Sequence, residues 1–187
     1  MAIPGGGASH LGGEGDRRVL EQALAWSDIT MIGGGTLRAH RNTCLIKNFN
    51  LIEKRVSEGR TQQPVCLVVS RKFDHSVAWP FFQQPIRRWL LRPPLRGLLK
   101  HDPPEGYERQ IFLQEQWKET LKQLGEEGFS RVVVLGGALL LSSLLRTDSV
   151  DELQLTLTPR LLGGNNLWLP MGEDGLIPIE LSTSQAW

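Results

Sequence analysis

The sequence predicts an α/β domain whose sheet is mainly parallel and covered by helices on both faces. Three observations lead there. Short apolar runs rich in β-branched residues alternate with stretches at helical spacing. Two of those runs, Ile29–Ile32 and Val132–Leu135, pass straight into glycines and then into another helical stretch. After Asp148 the helical spacing stops and a period of two takes over, which predicts antiparallel C-terminal strands at one side of the sheet.

The elements follow in order. Met1 to Gly15 is rich in glycine and lacks periodicity, so it reads as loop. Asp16 offers an N-cap for a helix to about Trp26, with Val19, Leu20, Ala23 and Leu24 on one face. Ile29–Ile32 is a short strand, a helix fits Phe49 to Glu58, and Val65–Val69 is a strand covered on both faces. Ile86 to Leu91 forms a further strand, stopped by Pro93-Pro94. Pro93 to Gly106 carries four prolines and reads as an exposed loop. Ile111 to Leu113 is a weak strand, and Glu115 to Glu127 is a helix closed by Gly128. Arg131 to Leu135 gives the strongest buried-strand pattern, and a helix follows to about Leu145. Leu153, Leu155 and Leu157 then alternate with polar residues, as in a strand with one wetter face.

Length and composition narrow the function. A chain of 187 residues suits one core, so a single domain over residues 1–187 is expected. A net charge of +1, with no long basic run, argues against nucleic acid or an anionic membrane as partner. Two cysteines are too few for a disulfide framework, no apolar stretch approaches a membrane span, and the start lacks a signal-peptide core. A small-molecule protein of the cytoplasm is the expectation.

The strand–glycine–helix segments carry the chemistry. They are Gly33-Gly34-Gly35-Thr36 with Arg38 just beyond, and Gly136-Gly137-Ala138-Leu139-Leu140. Glycine lets backbone approach a pyrophosphate, and the following helix presents free N–H groups and a positive dipole end. A tight βα turn uses glycine for its own sake too, but two such turns in one short chain favour a ligand spanning both. Neither fits the dinucleotide G-x-G-x-x-G spacing or a P-loop. Ser70-Arg71-Lys72 follows the Val65–Val69 strand and offers a hydroxyl and two cations for a terminal phosphate, such as the 2′-phosphate of NADPH. A solvated surface loop is the plainer reading of that tripeptide alone. The four histidines show no metal-ligand spacing, and no nucleophile pairs with a base. Hydride transfer accommodates this scarcity, because the cofactor brings the reactive carbon.

Three segments resemble the C-terminal reductase domain of the bifunctional deaminase–reductases of riboflavin biosynthesis, which has the dihydrofolate reductase-like fold. They are Ser27 through Ala39, Val68-Val69-Ser70-Arg71, and Val132 through Gly164, the last including Val150-Asp151-Glu152-Leu153, Thr158-Pro159 and Leu162-Gly163-Gly164. The likeness covers most of the chain except Gln83 to Tyr107. It implies NADPH-dependent reduction of the ribosyl group of a phosphorylated ribosylamino-pyrimidine to ribityl, in a homodimer. It also implies cofactor-binding positions at Gly33, Gly34, Gly35, Thr36, Ser70, Arg71, Gly136, Gly137, Ala138, Leu139 and Leu140, with Arg38 at the substrate pocket. No catalytic side chain is assigned.

Three features depart from the pattern. The sequence starts, at Met1-Ala2-Ile3-Pro4, just after where the family's first strand, with its Ser-Leu-Asp-Gly-Lys-like motif, should end. Leu135 occupies the place of an acidic residue before the late glycines, and His40-Arg41-Asn42 replaces another acidic position. A non-catalytic dinucleotide-binding paralogue, and a different reductase on the same fold, therefore stay open as alternatives.

Overall fold

The protein is described by a computed structural model that covers residues 13–72, 74–94 and 102–156. Five strands form one sheet in the order β4-β3-β2-β1-β5, and every neighbouring pair is parallel. The elements run α1 (Glu14–Trp26), β1 (Ile29–Gly33), α2 (Gly34–His40), α3 (Phe49–Ser57) and β2 (Val65–Val69). A 3₁₀ turn (Pro80–Gln83), β3 (Arg88–Arg92), β4 (Arg109–Phe112), α4 (Trp117–Glu126), β5 (Val132–Val134) and α5 (Ala138–Arg146) follow.

Strand alternation splits the apolar side chains into two cores, one on each face. Ile29, Met31, Val65, Leu67, Trp89 and Leu91 point to the side closed by Trp117 and Leu124 of α4 and Leu140 and Leu144 of α5. Ile32, Cys66, Val68 and Leu90 point to the other, closed by Leu37 of α2, Phe81 of the 3₁₀ turn and Tyr107. Apolar residues on both faces of β1 and β2 explain their nearly continuous apolar runs.

The amino end of the sheet is held by arginines. Arg55, 2% exposed, donates to the carbonyls of Ala25 at 2.8 Å, Ser27 at 2.7 Å and Thr61 at 2.8 Å. It thereby satisfies carbonyls left open at the carboxyl end of α1. Asp28 accepts from Arg60 at 3.1 Å and from the Arg131 guanidinium and backbone N–H, both at 3.0 Å, which joins α1 to β5. Glu21 accepts from the backbone N–H of Lys47 and Asn48, and Asn48 in turn caps α3 through Leu51 N.

Several expected boundaries move. The first helix begins at Glu14 with Gly13 as its cap, so Asp16 lies within its first turn. The third strand runs Arg88–Arg92, and Ile86 packs into the second core before the strand begins. The fourth strand is Arg109–Phe112, because its backbone pairs start where Trp89 meets Arg109. The valines of β5 are half-buried where full burial was expected, since β5 is the end strand among the described residues. Leu153 through Thr156 form no strand; the rest of the expected C-terminal strands, and most of the expected N-terminal loop, lie outside the described residues.

Candidate nucleotide-binding edge

The carboxyl ends of parallel strands are where α/β sheets place ligands, and all the singled-out segments lie at that edge. β1 ends at Gly33, opposite Val69 of β2, and α2 starts at the next residue. The glycine triplet is thus the end of a strand joined directly to a first helical turn. Ser70 follows β2, and its N–H donates to Leu91 O at 3.0 Å. On the other side of β1, Leu135 N donates to Met31 O at 2.8 Å and Gly33 N donates to Gly136 O at 3.2 Å. That carries the β5 backbone up to its own glycines.

Close approach explains the glycines. A Cβ on Gly34 would overlap Ser70 Oγ and stand 2.7 Å from Ser70 Cβ. A Cβ on Gly137 would meet Gly33 Cα and Thr36 Oγ1, each at 3.4 Å, so the two turns touch. Gly136 and Gly137 have φ of 132° and 108°, a region that disfavours any side chain.

Gly33, Gly34 and Ser70 are buried, Thr36, Gly136 and Gly137 are half-buried, and Gly35, Ala138 and Leu139 are exposed. Leu140 turns its side chain into the first core, so only its backbone N–H faces this edge. Among the described residues no side chain caps α5, whose first-turn N–H groups face the edge. Arg71 and Lys72 are exposed just past the end of β2, while Ser70 Oγ donates to Lys72 O at 2.6 Å. Arg38 is exposed and paired with Asp74 at 3.0 Å, a partner that sequence spacing did not indicate.

His75 and Tyr107 also escaped sequence reading. His75 Nδ1 lies 2.8 Å from the Tyr107 hydroxyl, across 32 residues of sequence. Burial pulls the imidazole pKa below its ordinary value; Asp74 opposes this and Arg38 adds to it. No local signal marks such a pair.

The arrangement fits a phosphorylated dinucleotide on its own geometry. Side-chain-free backbone, open N–H groups at a helix start and exposed cations are what pyrophosphate and a terminal phosphate need. Among the described residues no group of His, Cys, Asp and Glu could hold a metal ion, and no helix is long and apolar enough to cross a membrane.

This is the dihydrofolate reductase-like class of α/β protein, as its structural neighbours also show. A pyrimidine reductase-like protein from Corynebacterium diphtheriae superposes with a TM-score of 0.62 at 17% identity, over 81% of this chain and 66% of that one. A diaminohydroxyphosphoribosylaminopyrimidine deaminase/5-amino-6-(5-phosphoribosylamino)uracil reductase from Thermotoga maritima gives 0.57 at 17% identity. There the match covers 78% of this chain and only 37% of that longer one. Residues 1–185 match the RibD C-terminal domain, and the chain belongs to that family. A 2,5-diamino-6-ribosylamino-4(3H)-pyrimidinone 5′-phosphate reductase from Archaeoglobus fulgidus is 28% identical over 165 residues, spanning 82% of this chain and 71% of the relative.

Proposed function

We propose that the protein is an NADPH-dependent reductase of riboflavin biosynthesis, acting on a phosphorylated ribosylamino-pyrimidine and reducing its ribosyl group to ribityl. The observation that carries this reading is the convergence of Gly33–Thr36, Ser70-Arg71 and Gly136–Leu140 on one sheet edge. Family membership and the named activity of the Archaeoglobus relative support it.

In this reading the bound cofactor supplies the hydride. The protein's own residues bind and orient. Backbone N–H groups of Gly34 to Thr36 and of Ala138 to Leu140 hold the pyrophosphate, and the missing side chains let it come close. Ser70 and Arg71 take the 2′-phosphate through charge-assisted hydrogen bonds, which selects NADPH over NADH. Arg38 reaches the substrate side, and its pairing with Asp74 keeps the guanidinium extended there until substrate competes for it. The reading carries with it one domain, a homodimer and a cytoplasmic location.

The test is turnover. Purified full-length protein is mixed with NADPH and 2,5-diamino-6-ribosylamino-4(3H)-pyrimidinone 5′-phosphate, or its deaminated counterpart, and ribityl product is followed by mass spectrometry. Product with either substrate, dependent on NADPH, supports the reading. Binding of NADPH with no product from either would favour the non-catalytic paralogue.

A further inference from the structure

The Gly34–Ser70 contact is backed by a buried pair outside the segments that carry the family likeness. His75 is 8% exposed and Tyr107 is 7% exposed, and both lie on the α2 side of the sheet. The point where a Gly34 Cβ would stand overlaps Ser70 Oγ and is 3.4 Å from His75 Nε2. Ser70 and the imidazole therefore both border the space a Gly34 side chain would need. Nε2 is buried there, its interaction confined to the Gly34 backbone, while Nδ1 is engaged by Tyr107. Trp79 flanks the imidazole, its ring centroid at 5.7 Å. Tyr107 is itself fixed by Gly106, where φ is 83° and the Phe82 ring fills the space a Cβ would need.

A buried ring nitrogen whose polar contact is poorly made is costly, and natural structures keep few of them. This one faces the backbone of a glycine that the cofactor edge depends on. We infer that His75, backed by Tyr107, is a positioning residue that locks the Gly34 backbone in place beside Ser70 and so fixes the spacing of the β1 and β2 ends for the phosphates of the dinucleotide. The inference rests on the cofactor reading above.

The groups facing His75 decide how the clamp responds to pH. Asp74 is its neighbour in the chain, Arg38 faces it from α2 and Tyr107 from the segment before β4. Cys66 of β2 and Arg88 of β3 act in turn on Tyr107. Asp74 is already engaged by Arg38. Burial, with Arg38, outweighs Asp74 and the Gly34 backbone, which favour the charged ring, so the clamp works with a neutral ring. Acidification places a charge in a buried position and loosens Gly34 from Ser70.

Two measurements on the full chain test this, with thermal melts confirming that each variant is folded. First, NADPH affinity is measured by calorimetry from about pH 8 to about pH 5.5, across the histidine range, for wild type, His75→Gln and Tyr107→Phe. A 2′-phosphate titrates in the same window, so the comparison is between proteins. Wild type should lose roughly tenfold more affinity on acidification than His75→Gln, and both variants should bind about threefold to tenfold more weakly at pH 8. Equal pH dependence in wild type and His75→Gln would overturn the clamp while leaving the cofactor reading intact. Second, amide NMR signals of Gly34 and Ser70 are followed through the same titration without nucleotide. They should move with the His75 ring in wild type and stay still in His75→Gln; still signals in wild type would overturn the clamp whatever the nucleotide does. Wild type that binds no nucleotide while those signals titrate would sink the cofactor reading and, because the inference rests on it, the assigned role with it.

Discussion

Replacing Gly34 by alanine separates the packing account from helix propensity, because the two predict opposite signs. Gly34 opens α2, where alanine gains about 0.5–1 kcal/mol over glycine in an ordinary helix. The backbone there has no positive φ, so no conformational strain enters. The added methyl, however, would stand 2.7 Å from Ser70 Cβ and overlap its hydroxyl. Ser70 is 7% exposed and its own N–H is tied to Leu91 O, so it cannot retreat without moving the end of β2. Overpacking of this kind costs about 1–3 kcal/mol, and losing the Ser70–Lys72 hydrogen bond adds about 0.5–1.5 kcal/mol. The expected net loss is about 1–3 kcal/mol, read from urea denaturation, with NADPH binding weakened in parallel. Gly35→Ala is the control: nothing lies within 4 Å of its Cβ position, so the apoprotein should gain about 0.4–1 kcal/mol. A Gly34→Ala protein as stable as wild type, or more so, would refute the argument that Ser70 excludes a side chain there.

Other expectations follow from single residues. Arg71→Ala should weaken NADPH by about 1.5–3 kcal/mol and leave NADH nearly unchanged, as read by calorimetry; an equal loss for both would remove Arg71 from the phosphate site. Arg55→Met should destabilise the fold by about 1–3 kcal/mol in urea, because the Thr61 carbonyl loses this donor and those of Ala25 and Ser27 are left with Arg60. Burial raises the pKa of Asp28, but the hydrogen bonds from Arg131 and the charges of Arg131 and Arg60 outweigh it and leave the carboxyl below its ordinary value of 3.8. Its contribution is therefore present above that value and lost as pH falls through the lower folded one. Asp28→Asn should cost about 1.5–3 kcal/mol at neutral pH and flatten the acid limb of the stability curve. His75 has linkage of the same sign in a higher pH window. Its folded pKa is depressed from 6.5, so wild-type stability should decline as pH drops below that value, and His75→Gln should remove that decline.

The sequence revealed those parts of the fold that rest on local pattern. β1 and β2 were legible because strands covered on both faces must be apolar throughout, β5 because three successive valines favour a strand even half-buried, and the glycines after β1 and β5 marked turns where backbones approach. The boundaries of β3 and β4 were not, since Ile86 is as buried as a strand residue yet precedes the ladder, and Arg92 is buried despite its charge. The 3₁₀ turn at Pro80–Gln83 carries no period to detect. For the cofactor edge, glycine spacing located both turns, but the reason for Gly34 lay in Ser70, far along the chain. Asp74, His75 and Tyr107 had no local signature at all, because pairing across the fold and burial define them.

The central claim is that this edge binds a dinucleotide through its terminal phosphate. Calorimetry of NADPH against NADH on the full chain tests it most directly. Binding of NADPH at least tenfold tighter than NADH, the factor that about 1.4 kcal/mol of phosphate contact provides, is the predicted result. Equal affinity for the two, or binding of neither, would contradict it.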